Sequence, residues 1–134
     1  MYYGERVIRW IEVTCTGNTG HGSRFIEKTA AEKLQRLINK FLEYREEQKA
    51  KLNHECSCLH LGDVTTINLT GLSGGLARNI VPAEFKATFD IRITPKTTVK
   101  EFTKLLDSWI KEAEGDDSSS GRVTYEIKNV IFTY

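Results

Sequence analysis

One segment of the chain alternates strictly between apolar and polar side chains, and this pattern constrains the fold more than any other feature. Polar residues separate the apolar residues Phe85, Ala87, Phe89, Ile91 and Ile93. Because successive side chains of a strand point to opposite faces of a sheet, the alternation predicts a β-strand with one face in a core and the other in water. A proline follows at position 95 and predicts the end of this strand.

Two longer segments carry apolar residues at the spacing of a helix. The first covers about residues 26–52, and Thr29 and Glu32 within it have the spacing of a capping box. The second begins after Thr98, which forms the same motif with Glu101 and precedes a regular apolar stripe. The stripe of the first helix is unusually broad, so we expect this helix to contact more than its own sheet.

Three further segments are rich in β-branched and aromatic residues and predict strands, namely residues 6–16, 64–72 and 122–132. The resulting order, β-α-β-β-α-β, is that of the ferredoxin-like split β-α-β sandwich. This is an α+β fold with a four-stranded antiparallel sheet and both helices on one face. Without an internal linker or repeat, the sequence predicts a single domain over residues 1–134.

In this topology the second and fourth strands are the edges of the sheet. A polar second strand beside a broad first helix favours edge-to-edge pairing of two copies, because unpaired edge groups are satisfied when the sheet is extended. A homodimer through strand two and the first helix is therefore one hypothesis. An edge that is simply protected by its threonines explains the sequence equally well.

The charge and cysteine content exclude several classes of partner. Nineteen basic and eighteen acidic residues leave a net charge of +1, which provides no broad field for nucleic acid or for an anionic membrane. We therefore expect no nucleic-acid partner and no membrane partner.

Three cysteines cannot form a closed disulfide framework, and the first residues lack the apolar core of a signal peptide. The sequence thus predicts a reduced, cytoplasmic setting.

A glycine-rich turn directly after the first predicted strand contains a histidine. Three glycines surround His21, and glycine allows backbone conformations that hold a side chain out on a tight loop. This is how a reactive or ligand-facing imidazole is usually presented. A plain surface turn with an incidental histidine is the simpler interpretation of this segment alone.

The loop after the first helix offers two cysteines and two histidines at alternate positions, between His54 and His60. Zinc accepts such ligands, but structural zinc loops normally separate paired ligands by two to four residues. The spacing here therefore favours a solvated loop, and we assign no metal site to this sequence.

Two further polar residues are candidates for binding a ligand. Asn79 follows the flexible Gly74 and Gly75 and precedes a rigid proline-containing segment, so its carboxamide can be fixed. Arg92 lies on the polar side of the alternating strand, from which a guanidinium can hold a carboxylate through two parallel hydrogen bonds. The simpler interpretation of Arg92 is an exposed ion pair with Asp90 or a glutamate.

Four segments, taken in order, resemble the lid, or dimerisation, domain of the aminoacylase-1 family. They are residues 16–25 (TGNTGHGSRF), 64–69 (VTTINL), 74–82 (GGLARNIVP) and 89–92 (FDIR). This family is grouped with carboxypeptidases, dipeptidases and deacylases that share a two-zinc catalytic domain.

The resemblance implies a homodimeric zinc amidohydrolase that cleaves N-acyl-L-amino acids, with both zinc ions in a catalytic domain absent from this sequence. It implies that His21 reaches across the dimer and donates a hydrogen bond to the scissile carbonyl oxygen. Asn79 and Arg92 would bind the substrate carboxylate, with Arg92 acting in its own subunit. Gly74 and Gly75 would permit close backbone approach, and this fragment alone would not be catalytic.

Two alternatives remain. A freestanding ferredoxin-like module could bind RNA or a small metabolite, but RNA modules of this shape expose aromatic residues on the open sheet face. Here Phe85 and Phe89 are expected to face the core. A purely structural oligomerisation domain, in which the polar residues have no catalytic part, is the other alternative.

Overall fold

The computed structural model describes residues 6–54, 64–116 and 118–128. Helix α1 covers Ala30–His54 and helix α2 covers Val99–Glu114. A short 3-10 turn lies at Ser118–Ser120. The strands are β1 (Val7–Thr16), β2 (Gly20–His21), β3 (Thr66–Gly74), β4 (Ile80–Val81), β5 (Glu84–Ile93) and β6 (Val123–Lys128).

Four of the strands form one antiparallel sheet in the order β3-β5-β1-β6. The side chains of β5 that alternate in sequence also alternate in burial, so that Phe89, Ile91 and Ile93 are buried while Asp90 and Arg92 are partly exposed. Both helices pack on the buried face. The predicted ferredoxin-like sandwich is confirmed, with the predicted second and fourth strands, β3 and β6, at the edges.

Aromatic rings join the two helices to the sheet. Phe41 of α1 stacks on Phe89 of β5 with ring centroids 4.0 Å apart. Trp109 of α2 meets Phe41 edge to face at 5.1 Å. Such pairs add to the stability gained from burial alone, so this cluster fixes both helices against the sheet.

Both predicted capping residues act as caps. The hydroxyl of Thr29 accepts a hydrogen bond from the N–H of Glu32 at 3.1 Å, and Thr98 does the same for Glu101 at 3.1 Å. Thr29 is thus the N-cap residue of the first helix, which therefore begins at Ala30 rather than near residue 26.

Other boundaries differ slightly from expectation. Strand β3 begins at Thr66 because the N–H of Thr65 donates to Gln48 Oε1 of α1, at 2.9 Å, rather than to a strand. Strand β6 covers Val123–Lys128, and the remainder of the predicted fourth strand lies outside the described residues. The loop from residue 55 to 60, with its cysteines, also lies outside them.

Neither helix of the described part is long and apolar enough to span a membrane.

Candidate functional site

The loop that carries His21 and the loop that carries Asn79 are joined by a pair of two-residue strands, β2 and β4, which we call the ribbon. Strand β2 pairs with β4, so that His21 lies opposite Ile80. The N–H of Gly22 also donates to the carbonyl oxygen of Asn79 at 2.7 Å. The structure therefore brings two of the predicted site residues, His21 and Asn79, to the same end of the sheet.

The imidazole of His21 is exposed and held by a neighbouring serine. The backbone N–H of Ser23 donates to Nδ1 of His21 at 3.1 Å, and the Ser23 hydroxyl lies 2.7 Å from the same nitrogen. Because Nδ1 accepts a hydrogen bond from an amide, the neutral ring carries its proton on Nε2. The arrangement presents an N–H donor to whatever lies in front of the loop.

Gly74 and Gly75 lie at this same end, where β3 leads into the Asn79 loop. Both have positive φ angles, of 146° and 94°. A Cβ atom at Gly74 would overlap the ring of Phe85, so glycine is required there by space as well as by conformation. These residues shape the turn that carries Asn79.

Large apolar side chains are exposed around the ribbon. Phe25 and Leu76 are fully exposed, at 103% and 97%, and Ile80 is 49% exposed. Apolar groups clustered around two polar side chains are typical of a surface that meets another protein or domain.

Arg92 lies at the opposite end of the sheet. Strand β5 starts at Glu84, opposite Thr16 and next to the ribbon, whereas Arg92 pairs with Ile8 and Thr66 near the other end. Eight residues of extended strand separate Glu84 from Arg92, which corresponds to about 27 Å. Within one chain, Arg92 therefore cannot meet the same small ligand as His21 and Asn79.

The guanidinium of Arg92 is oriented by Asp90, two residues earlier on the same face of β5. Nε donates to Oδ1 at 3.2 Å and Nη2 donates to Oδ2 at 3.3 Å. The hydrogen bond and charge of Asp90 raise the pKa of Arg92. The ion pair with Asp90, which is the simpler interpretation of Arg92, is thus formed. Nη1 and one hydrogen of Nη2 take no part in it.

A second arginine, Arg6, lies near Arg92 at this end of the sheet, and the sequence analysis did not indicate it as a site residue. Arg6 donates through Nη1 to the hydroxyl of Thr66 at 2.9 Å, and Thr66 pairs directly with Arg92 in the sheet. Arg6 precedes the first strand without any motif, so only the register of the sheet reveals its position.

The open face of the sheet carries charges of both signs and one indole. Glu12 lies between Lys86 and Lys128, at 3.9 Å and 3.8 Å. Trp10, on the central strand β1, is 42% exposed there. The expected inward position of Phe89 is confirmed, but Trp10 places an aromatic ring on this face that the alternation in β5 could not indicate.

An apolar surface lies between α1 and the edge strand β3. It is lined by residues that include Leu34, Ile38, Leu72 and Phe85. Leu72 is 63% exposed although it lies within a strand. The edge strand and the broad helix stripe thus form one continuous surface.

The described residues do not fit a metal ion. Nowhere in residues 6–54, 64–116 or 118–128 do three His, Cys, Asp or Glu side chains come together as a ligand set.

The chain is similar to known hydrolases. It is 49% identical over 113 residues to aminoacylase-1 of Sus scrofa and 45% identical over 115 residues to aminoacylase-1 of Homo sapiens, each match covering 84% of this chain. The chain spans only 27% and 28% of the length of these two relatives.

Solved structures share the fold at low identity. A hydantoinase/carbamoylase family amidase from Burkholderia ambifaria superposes with a TM-score of 0.67 at 13% identity, covering 93% of this chain and 28% of that chain. A tripeptidase from Staphylococcus aureus superposes with a TM-score of 0.60 at 22% identity, covering 93% and 29%.

The sequence model of one protein family covers most of the chain. The model describes the peptidase dimerisation domain, and it matches residues 3–118. This range contains the ribbon with His21 and Asn79, the edge strand β3, and Arg92. The chain belongs to the peptidase dimerisation domain family, M20_dimer.

Proposed function

We propose that this chain is the lid and dimerisation domain of an aminoacylase-like zinc amidohydrolase in the cytoplasm. The whole enzyme would hydrolyse N-acyl-L-amino acids to a carboxylate and an L-amino acid. Both zinc ions would be held by a catalytic domain outside this chain. The identity to aminoacylases supports this substrate class, and membership of a dimerisation family supports self-association.

The observation that carries the proposal is the separation of the site residues. His21 and Asn79 lie at one end of the sheet, and Arg92 lies near the other end, about 27 Å along β5 from Glu84. Two chains are needed to combine these three side chains around one substrate. Each site would take His21 and Asn79 from one subunit and Arg92 from the other.

The edge strand β3 provides a way to assemble such a site. Two identical strands related by a two-fold axis pair antiparallel. The Gly74 end of one β3 then approaches the Thr66 end of the other, and Thr66 is the residue that pairs with Arg92. Dimerisation through β3, with the apolar surface of α1 beside it, would therefore bring the ribbon of one subunit toward Arg92 of its partner.

Each side chain has a chemical role in this assembly. The Nε2–H of His21 would donate to the scissile carbonyl oxygen as negative charge develops on it, an interaction that acts mainly in the transition state. Arg92, oriented by Asp90, would hold the substrate carboxylate, and the carboxamide of Asn79 would donate to the same group. Gly74 and Gly75 would let the backbone of the turn approach the substrate.

The proposal is tested with the full-length enzyme and an N-acetyl-L-amino acid. Replacement His21→Ala should lower kcat about 100- to 1000-fold with a smaller change in KM, as expected for the loss of an oxyanion donor. Arg24→Ala, in the same loop, is the matched control and should retain activity. An enzyme that does not release amino acid from any N-acyl-L-amino acid would contradict the substrate class.

A further inference from the structure

Lys33 is almost completely buried, with 1% of its surface exposed. It lies in the first turn of α1, where its N–H donates to the carbonyl oxygen of Thr29 at 3.2 Å. Taking an ammonium group out of water is costly unless its donors are satisfied. A buried lysine at this position therefore requires a specific explanation.

The ammonium group of Lys33 joins two distant segments of backbone. Nζ donates to the carbonyl oxygen of Thr16, at the end of β1, at 2.8 Å. It also donates to the carbonyl oxygen of Ser120, in the turn before β6, at 2.9 Å. One side chain on α1 thus ties the ends of two separate segments together.

These contacts lie where the His21 loop leaves the sheet. The loop comprises residues 17–29, and its two ends meet, because Gly17 lies against the backbone of Ala30. The N–H of Gly17 donates to the carbonyl oxygen of Ala83 at 3.0 Å. We call Thr16, Gly17, Ala30, Lys33 and Ser120 the neck of the loop.

The turn before β6 supports the neck from the other side. The N–H of Arg122 donates to the hydroxyl of Thr16 at 2.8 Å. Gly121 has a φ angle of 122°, and a Cβ atom there would overlap the carbonyl oxygen of Thr16. The backbone around the neck is therefore closely packed, so a shift of Thr16 is transmitted into the loop.

We propose that Lys33 is a positioning residue for His21. A methionine could fill the same space without the cost of burying an ammonium group, so the lysine contributes the directions of its two hydrogen bonds. By fixing Thr16 relative to α1 and to the turn before β6, it sets the direction in which the loop and its imidazole leave the sheet. This inference rests on the proposed role of His21 as an oxyanion donor.

A purely structural lysine would behave differently from a positioning lysine. Loss of a structural contact lowers thermal stability but leaves the kcat of the remaining folded enzyme unchanged. Loss of positioning lowers kcat at temperatures well below unfolding, because displacement of a transition-state donor by about 1 Å can cost up to 100-fold. It changes KM less than kcat, since the ground state makes little use of that donor and only Asn79, directly before the paired strand β4, contributes to substrate binding from this ribbon.

The test compares Lys33→Met with His21→Ala and with the double variant in the full-length enzyme. We expect Lys33→Met to lower kcat about tenfold or more, with a smaller rise in KM. On the His21→Ala background the same change should have no further effect, because two residues that act through one group are not additive. An unchanged kcat, or an equal loss on both backgrounds, would overturn the inference.

Two controls separate positioning from stability. Lys40→Met removes a lysine from the same helix, where Nζ pairs with Glu112 at 3.0 Å on the surface, and should leave kcat unchanged. Leu106→Ala destabilises the buried face of α2 and should lower the unfolding temperature without lowering kcat. A loss of kcat in Leu106→Ala equal to that in Lys33→Met would contradict the proposal.

A second variant covers the case in which Lys33→Met does not fold. Thr16→Val removes the hydroxyl that accepts from Arg122 and should lower kcat in the same direction but by less. An unchanged kcat in this variant would count against the neck as a positioning device. If His21→Ala itself retains full kcat, the proposed function fails, whereas a normal loss in His21→Ala with no loss in the neck variants refutes only the role of Lys33.

Discussion

Asp90 and Arg92 form a double hydrogen bond along one face of β5, with Nε–Oδ1 and Nη2–Oδ2 distances of 3.2 Å and 3.3 Å. An arginine has five N–H donors, and this pair uses two of them. The carboxylate therefore fixes the plane of the guanidinium while the Nη1 side remains available for an anion. The pair thus fixes the guanidinium in the orientation that the proposed role of Arg92, holding the substrate carboxylate, requires.

Replacement Asp90→Asn should weaken substrate binding. An amide can accept only one of the two hydrogen bonds and removes the charge that raises the pKa of Arg92. We expect KM for an N-acyl amino acid to rise several-fold with a smaller change in kcat, which steady-state kinetics would measure. Glu126→Gln breaks the Lys128–Glu126 pair on the same sheet and should leave KM unchanged. Equal effects of the two replacements would argue against a specific role for Asp90.

Replacement Leu72→Lys should convert the proposed dimer to monomers. Leu72 is 63% exposed on the edge strand, and a lysine there places charge in the apolar surface shared with α1. Sedimentation of the full-length enzyme should show the lower mass, and activity should fall with it. Ile127→Lys, at the opposite edge and 46% exposed, is the matched control and should stay dimeric. Dissociation in the control alone would assign the interface to β6.

Replacement Phe41→Ala should destabilise the domain strongly. The ring is buried and stacks on Phe89, so its loss removes apolar contacts and leaves a cavity, at a cost of about 3–5 kcal/mol. Urea unfolding followed by circular dichroism measures this change. Phe25→Ala removes a fully exposed ring and should change the free energy of unfolding by about 0.5 kcal/mol or less.

The buried thiol of Cys15 makes stability sensitive to alkaline pH. Burial raises the pKa of Cys15 from 9.0 to about 11, although the nearby charges of Lys33 and Arg36 oppose this shift. A thiol whose pKa is higher in the folded state contributes stability that is complete below pH 9 and is lost as the pH rises toward 11. The contribution is about 3 kcal/mol, since each pKa unit corresponds to about 1.4 kcal/mol.

The measurement for Cys15 is the free energy of unfolding across that pH range. A Cys56→Ser/Cys58→Ser background leaves Cys15 as the remaining thiol, and Cys15→Ala on that background is the control. We expect the parent to lose more stability than the control between pH 9 and pH 11, the range between the unfolded and folded pKa values of Cys15. Parallel curves would show that the thiol does not titrate differently in the folded state.

Most of the fold could be predicted from patterns between residues close together in the sequence. The alternation around Phe89 depends only on neighbouring residues, and the caps at Thr29 and Thr98 depend on residues three positions away. The ribbon of β2 and β4 was missed because each strand has two residues, too few for any periodicity, and the pairing joins segments far apart in sequence.

The relative positions of the candidate site residues could be predicted only in part from the sequence. The predicted antiparallel order already separates Asn79, which precedes β5, from Arg92, which lies near its end. The sequence does not indicate the burial of Lys33, because a charged side chain is normally exposed, although it lies three residues after the buried Ala30 on the apolar stripe of α1. Its partners on Thr16 and Ser120 are brought together by the fold, and no local pattern indicates them.

The most direct test of the shared site mixes two inactive full-length subunits, His21→Ala and Arg92→Ala. In a mixed dimer one site would have both defects and the other would have neither. Random exchange makes half of the dimers mixed, so activity should recover to about a quarter of the wild-type value. Mixing His21→Ala with Asn79→Ala, which alter the same ribbon, should give no recovery because each site then has one defect. Absence of recovery in the first mixture, with exchange of subunits verified, would contradict a site built from two chains.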